Sequence, residues 1–188
     1  MESATRRLVE RAGNDGLLDV AYATTDSPFG PLLLATTPHG LVRVGLPAYD
    51  PDETLEELAK RISPRLLEAP ARLDETRRQL DAYFDGRLHE FDLPLDWQLS
   101  RGFRRRALRA IDRIPYGRTR SYTDIARSAG NERAVRAAGT ACGANPIPIV
   151  VPCHRVLRSG GALGGYGGGL PMKEALLELE GALNASHS

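Results

Sequence analysis

Residues 145–156 read Asn-Pro-Ile-Pro-Ile-Val-Val-Pro-Cys-His-Arg-Val. Three prolines within seven residues forbid a helix, because proline lacks an amide hydrogen and biases the residue before it toward extended backbone. The β-branched residues between them favour a buried, extended path, so the segment is expected to deliver Cys153 to a fixed place. A free cysteine with a pKa near about 8.5 is only slightly ionised at neutral pH, so a nucleophilic role requires a base or a positive neighbour. His154 follows directly. Adjacent side chains on an extended segment point to opposite sides, so the imidazole meets the thiol only if the chain turns there, or through a water. As zinc ligands, Cys142, Cys153 and His154 fit no usual spacing, and no metal site is expected.

Downstream, residues 159–169 hold seven glycines in eleven positions. Such a loop lets backbone approach a flat ligand with its amides free to donate. A phosphate-cradling loop is the competing reading, but the Lys-Ser or Lys-Thr ending of a P-loop is absent. Pro171 is placed to open a helix with Met172, Leu176 and Leu179 inward and Gly181 as its stop. Glu180 then falls in the last turn, the unfavourable end of the helix dipole for a carboxylate, which suggests an orienting role toward a group such as a histidine. Solvation at the surface is the default reading, to which the orienting role is the alternative.

Charge is distributed unevenly along the 188 residues. Residues 1–98 carry 11 basic and 18 acidic side chains, whereas residues 99–158 carry 13 basic and 3 acidic ones, and every one of those 13 is arginine. A basic stretch of this length is the footprint of a polyanion-binding surface, with a solvated arginine-rich face as the bland alternative. Within it, Phe103, Ala107, Leu108, Ile111 and Ile114 share one helical face. Ser121-Tyr122-Thr123-Asp124 reads as a capping box opening a short helix that Gly130 stops. Asn131 is expected to cap a second helix from Glu132 to about Cys142 after a turn of two or three residues, giving a helix-turn-helix. That second helix is nearly bare, with Ala134, Ala137, Ala138, Gly139 and Ala141 beside Arg133 and Arg136, and this suits either close helix packing or entry into a nucleic-acid groove.

The first half reads as an α+β module without evident chemistry. Segments 18–23, 31–37 and 41–46 are expected to form a small antiparallel sheet, residues 51–62 and 73–84 two helices, and residues 91–97 one more strand. His39 and His89 read as surface histidines. Hydrophobic residues at 41% and charged residues at 26% fit a globular chain of one ordinary domain or two small ones. Two cysteines are too few for a disulfide scaffold, no apolar run is long enough for a membrane span, and the first residues lack a signal-peptide core, so a cytoplasmic protein is expected.

The elements from Ile114-Pro115-Tyr116-Gly117 through Asn145-Pro146, Pro152-Cys153-His154-Arg155-Val156, Leu163-Gly164-Gly165-Tyr166-Gly167-Gly168 and Lys173 to Glu180 resemble the O6-alkylguanine-DNA alkyltransferases over about residues 100–183. Residues 22–46 are similar, more weakly, to that family's N-terminal domain. The resemblance implies an α+β fold: a ribonuclease-H-like domain at 17–98, then a mostly helical, winged-helix-like helix-turn-helix domain at 99–184, with a flexible tail at 1–16 and another at 185–188. It also implies stoichiometric, irreversible DNA repair, in which the Cys153 thiolate takes the alkyl group of O6-alkylguanine, and of O4-alkylthymine, from a flipped base. His154 would deprotonate the thiol through a water, Glu180 would fix the imidazole, Tyr122 would assist the leaving guanine and Lys173 the same site, and Asn145 would hold the active-site turn. Val156, Tyr166 and Gly167 would line the base pocket. Arg136 would fill the vacated stack, with Ala137, Ala138, Gly139, Arg133 and Tyr122 at the DNA surface. No cofactor and no metal are implied, double-stranded DNA is the partner of a monomer, and cooperative binding is left open. Leu108, Gly167 and Ala138 replace the tryptophan, serine and valine that other members carry there, and Cys142 is expected to pack rather than react.

Overall fold

The computed structural model describes residues 18–183; the tails expected at 1–16 and 185–188 lie outside the described residues. The chain divides into two compact units. Among the described residues, 18–81 group with Asp92–Leu99, and Ala82–Phe91 group with residues 100–183.

The first unit is built on a four-stranded sheet. Strands β1 (Val20–Thr25), β2 (Leu32–Thr37) and β3 (Gly40–Gly45) form the antiparallel meander that the apolar runs predict. A fourth strand, β4 (Leu66–Glu68), pairs parallel with β1 and gives the order β3-β2-β1-β4. Its three residues are too few for a periodicity to register, and it was not expected. Helix α1 (Pro51–Arg61) makes the crossover between β3 and β4. Asp50 starts it by accepting from the Asp52 and Glu53 amides at 2.8 and 3.1 Å, and Pro51 occupies the first helical position, where its missing amide hydrogen goes unused. Leu58 packs with Val20, Ala35, Val42 and Leu99 in the core beneath the sheet. A 3₁₀ turn (Pro70–Leu73) leads into α2 (Asp74–Phe84), whose residues from Ala82 belong to the second unit.

The strand expected at 91–97 is present only as one bridge, Leu41 to Leu95, held by the Leu41 amide on the Pro94 carbonyl and the Asp96 amide on the Leu41 carbonyl, both at 2.8 Å. Pro94 has no amide hydrogen to extend the ladder. The close approach there depends on Gly40, whose φ is +129° and on which a β-carbon would overlap the Pro94 carbonyl.

In the second unit, α3 (Gly102–Asp112) buries Ala107, Leu108 and Ile111 as its spacing predicts. Strand β5 (Arg120–Ser121) leads into α4 (Tyr122–Ser128), where the expected capping box is formed between Ser121 and Asp124. The next helix, α5, runs Val135–Gly143, so it starts three residues later than expected and the turn is longer than two or three residues. Asn131 does not cap it. Its Oδ1 accepts from the Arg133 amide at 3.2 Å and its carbonyl from the Ala134 amide, so the side chain closes a local turn instead. Helices α3, α4 and α5 pack on one another. A 3₁₀ turn (Cys153–Arg155), strand β6 (Val156–Leu157) paired parallel with β5, and α6 (Leu170–Leu179) complete the unit. Met172, Leu176 and Leu177 are the buried apolar residues of α6; Leu179, expected inward, is half-buried. The architecture is the α+β class expected.

Gly40→Ala is expected to destabilise the chain by about 1–3 kcal/mol, since the residue must both hold a positive φ and clear Pro94. The check is a lowered urea midpoint at unchanged denaturant slope.

Candidate active site

The proline-rich segment is buried, but it is not extended throughout. Ile147, Ile149 and Val151 are fully buried within a run of turns, and Ile149 adopts φ +73°, a conformation that β-branched residues rarely enter. The Val151 amide reaches back to the Ile147 carbonyl at 2.8 Å, and the Cys153 amide to the Val151 carbonyl at 2.8 Å. Cys153, His154 and Arg155 therefore lie on a 3₁₀ turn, which corrects the expectation of an extended path at this point. The reason is local: Pro152 ends the amide ladder, and Asn145 folds the segment on itself.

Asn145 is the clamp of this loop. Its Nδ2 donates to the Val151 carbonyl at 2.8 Å and to Cys153 Sγ at 3.2 Å, while its Oδ1 accepts from the Ile147 amide at 3.0 Å. Cys153 is 4% exposed. Burial pushes its thiol pKa up, while the Asn145 donor and the charge of Lys173 pull it down. A donor aimed at sulfur favours the anion over the thiol.

His154 makes no direct hydrogen bond to Cys153. Its Nε2 lies 2.9 Å from Glu180 Oε1, and its buried Nδ1 has no protein partner. Burial pushes the imidazole pKa down, with Glu180 opposing, so the ring is held neutral. Glu180, from the end of α6, is buried. Burial alone raises its pKa, but hydrogen bonds from His154 and Arg155 outweigh this and hold it at about 2. An ionised carboxylate only accepts, so Nε2 must carry the proton and Nδ1 must present its lone pair.

Glu180 has more donors than sequence reasoning supplied. Arg155 addresses it with two parallel bonds, Nε to Oε2 and Nη2 to Oε1, both at 2.8 Å, and a further bond from Nη1 reaches the Ile114 carbonyl. Tyr83 donates its hydroxyl to Oε1 at 2.7 Å, and the Gly117 amide donates to Oε2 at 3.3 Å. Tyr116 lies beneath Arg155 at 5.8 Å, stacks on His89 at 4.1 Å and donates to the Leu179 carbonyl. Arg155 and Gly117 stood inside quoted sequence elements and could have been singled out there. Tyr83 lies 71 residues upstream of His154 and gave no signal.

Lys173 is fully buried in α6. Its Nζ donates to the Val156 carbonyl at 2.7 Å and the Gly164 carbonyl at 3.3 Å, tying β6 to the glycine-rich loop, and burial lowers its pKa. Val156 is buried, Gly167 is half-buried in the loop, and the Tyr166 ring stands edge-on to His154 at 6.4 Å. Tyr122, half-buried at the start of α4, lies between Gly139 and Gly164; a β-carbon on Gly164 would run into its hydroxyl. Burial raises the Tyr122 pKa, and the neighbouring Cys142 and Cys153 add to this.

On α5, Arg136 and Ala137 are exposed and Gly139 is half-buried against Tyr122, while Arg133 is exposed in the turn before the helix. Ala138 is fully buried with Ala141 on the packing side, so its placement at an outer, DNA-facing surface is corrected. Cys142 is buried on that same side, and burial raises its pKa.

A buried cysteine, histidine and glutamate array carried beside a helix-turn-helix defines a protein that combines thiol chemistry with a nucleic-acid-binding type of unit. Comparison with known proteins narrows this. Residues 102–182 match the family model described as 6-O-methylguanine DNA methyltransferase, DNA binding domain, and residues 20–97 match the ribonuclease-like domain of the same description. The methylated-DNA–protein-cysteine methyltransferase of Mycobacterium tuberculosis H37Rv is 46% identical over 161 residues, covering 86% of this chain and 92% of the relative. That of Methanosarcina acetivorans is 42% identical, covering 86% and 98%. A crystal structure of Mycobacterium tuberculosis OGT in complex with DNA superposes with a TM-score of 0.73 at 44% identity, covering 85% of this chain and 92% of that one. The chain belongs to the 6-O-methylguanine DNA methyltransferase family.

Glu180→Gln is expected to destabilise the protein by about 3–5 kcal/mol, because it leaves the Arg155 charge buried without its counter-ion. In the unaltered chain, Glu180 is depressed from 4.5 to about 2. Its contribution is therefore complete above the ordinary carboxylate range and is lost as pH falls toward 2. Thermal midpoints between pH 6 and 2 should fall steeply over that window in the unaltered chain and less steeply in the variant.

Proposed function

We propose that this protein repairs DNA by moving the alkyl group of O6-alkylguanine, and of O4-alkylthymine, onto Cys153 in one irreversible step. The observation that carries this reading is the arrangement of Asn145 on the sulfur and Glu180 on the imidazole, in a chain of this family. The Cys153 proton passes through a water to His154 Nδ1, and the imidazolium is stabilised by Glu180. The thiolate attacks the alkyl carbon in line, the carbon–oxygen bond breaks, and its electron pair leaves with guanine. Tyr122 donates to the departing purine. Val156, Tyr166 and Gly167 frame the base, and Lys173 holds that frame by its bonds to β6 and the glycine-rich loop.

A thioether offers no acyl carbon to water, so the product stays on the protein and each molecule acts once. The lesion is the alkyl donor, and no cofactor enters the scheme. Near-complete burial of Cys153 limits the thiol to donors brought into the site.

The reactive oxygen is inaccessible within a duplex, so the base is flipped out, at a cost of a few kcal/mol that is smaller for a damaged pair. Arg136, the long exposed side chain on α5, fills the gap in the stack, and Ala137, Gly139 and Arg133 lie along the groove. Double-stranded DNA is the partner. Among the described residues no helix is long and apolar enough to cross a membrane. A monomer acting in the cytoplasm completes the proposal.

Incubation with duplex DNA carrying O6-methylguanine should raise the intact mass by one methyl, about 14 Da, localised to Cys153 and absent in Cys153→Ala. Tight binding without a mass gain would instead indicate a damage-binding module. Gly164→Ala should slow transfer by about 10²-fold, through displacement of Tyr122, with little change in duplex affinity. Arg136→Ala should impair transfer from duplex DNA while sparing transfer from the free base; equal losses on both would reject its role in flipping.

A further inference from the structure

Helices α3 and α4 carry a polar feature that the chemistry at Cys153 does not use. Arg106, Arg109 and Arg113 are spaced i, i+3 and i+7, so they share one face, about half a turn away from the buried Ala107, Leu108 and Ile111. With Arg120 they line a groove of about 360 Å³ walled in part by Ile114 and Ile125. All four arginines are exposed. Helix α5 packs against both α3 and α4, yet no α5 residue lines the groove, which opens on the outer side of the pair.

The acidic residue in the groove is already engaged. Asp124 accepts from the Ser121 amide and hydroxyl at 3.0 and 2.7 Å, pairs with Arg127 at 3.4 Å, and shares its charge with Arg120, which leaves one carboxylate among the groove's four arginines. Arg106 is held in place by its Nε bond to the Ala129 carbonyl at 2.8 Å and by the Phe103 ring at 5.7 Å. Like charges gathered over low-dielectric walls repel one another and focus a positive potential, and an anion relieves both effects. Guanidinium forks match phosphate oxygens in geometry as well as charge.

We propose that this groove is a phosphate site separate from the DNA surface on α5, taking the phosphates of a further DNA segment or of a free polyphosphate. The inference is independent of the transfer to Cys153 but rests on α5 being the helix that meets the lesion. The test uses the full chain saturated with a short duplex carrying O6-methylguanine. One arm titrates inorganic pyrophosphate into that complex by calorimetry, and the other measures capture of a second, differently labelled duplex. Pyrophosphate should bind the saturated complex, and the double variant Arg113→Ala, Arg120→Ala should weaken that binding by at least about tenfold while methyl transfer is retained. Capture of the second duplex, lost in the variant, identifies DNA as the source of the phosphates; pyrophosphate binding without capture identifies a free polyphosphate. Loss of pyrophosphate binding once the first duplex is bound would overturn the proposal, because the groove would then be part of the primary DNA path. Binding that the variant leaves unchanged, or a variant that loses transfer in parallel, would overturn it as well. If the unaltered chain transferred no methyl group, the pyrophosphate arm would still read out the groove.

Discussion

The carboxylate of Glu180 organises the helical unit. Burying a lone carboxylate costs several kcal/mol, yet this one is surrounded by donors from three separate stretches of chain: Tyr83 at the end of α2, Gly117 before β5, and His154 with Arg155 on the 3₁₀ turn. Each donor fixes its own segment relative to α6. A charge that would be a liability at the C-terminal end of a helix is held ionised, at a pKa of about 2, because Arg155 and His154 outweigh the burial that opposes it. Because that carboxylate can only accept, it dictates the imidazole tautomer and leaves the Nδ1 lone pair unpartnered, as the proposed role of base requires.

The sulfur is tuned by a second, smaller set of contacts. Asn145 spans the turns between Ile147 and Cys153 with three bonds, one of them to Sγ, so the side chain that shapes the loop also biases the thiol toward its anion. Lys173 performs a related double task, tying Val156 to Gly164 while its charge favours ionisation of Cys153. Burial works against both. The thiol is left little exposed, and its ionisation is set by the groups around it.

Much of this was legible in the residues. The prolines placed Cys153 in a buried segment outside any α-helix, though on a 3₁₀ turn rather than the extended path expected, the capping box at Ser121 and Asp124 located α4, and the resemblance connected Cys153 with Glu180 across 27 positions. What failed did so for local reasons. Asn131 closed a turn with Arg133 rather than capping α5, because asparagine serves both purposes equally well in sequence. Pro94 reduced an apparent strand to one bridge. Ala138 faced the core because a helix made of small residues offers no contrast between its sides. Tyr83 was invisible: its partners lie 71 and 97 residues away, and no spacing rule reaches that far.

The central claim is that Glu180 sets the tautomer of His154 so that Nδ1 serves the thiol. Long-range proton–nitrogen NMR of the resting protein, with histidine labelled at both ring nitrogens, reads this directly. The expected result is a neutral ring protonated at Nε2, with an unprotonated Nδ1. A ring protonated at Nδ1 alone, or one doubly protonated at neutral pH, would contradict it.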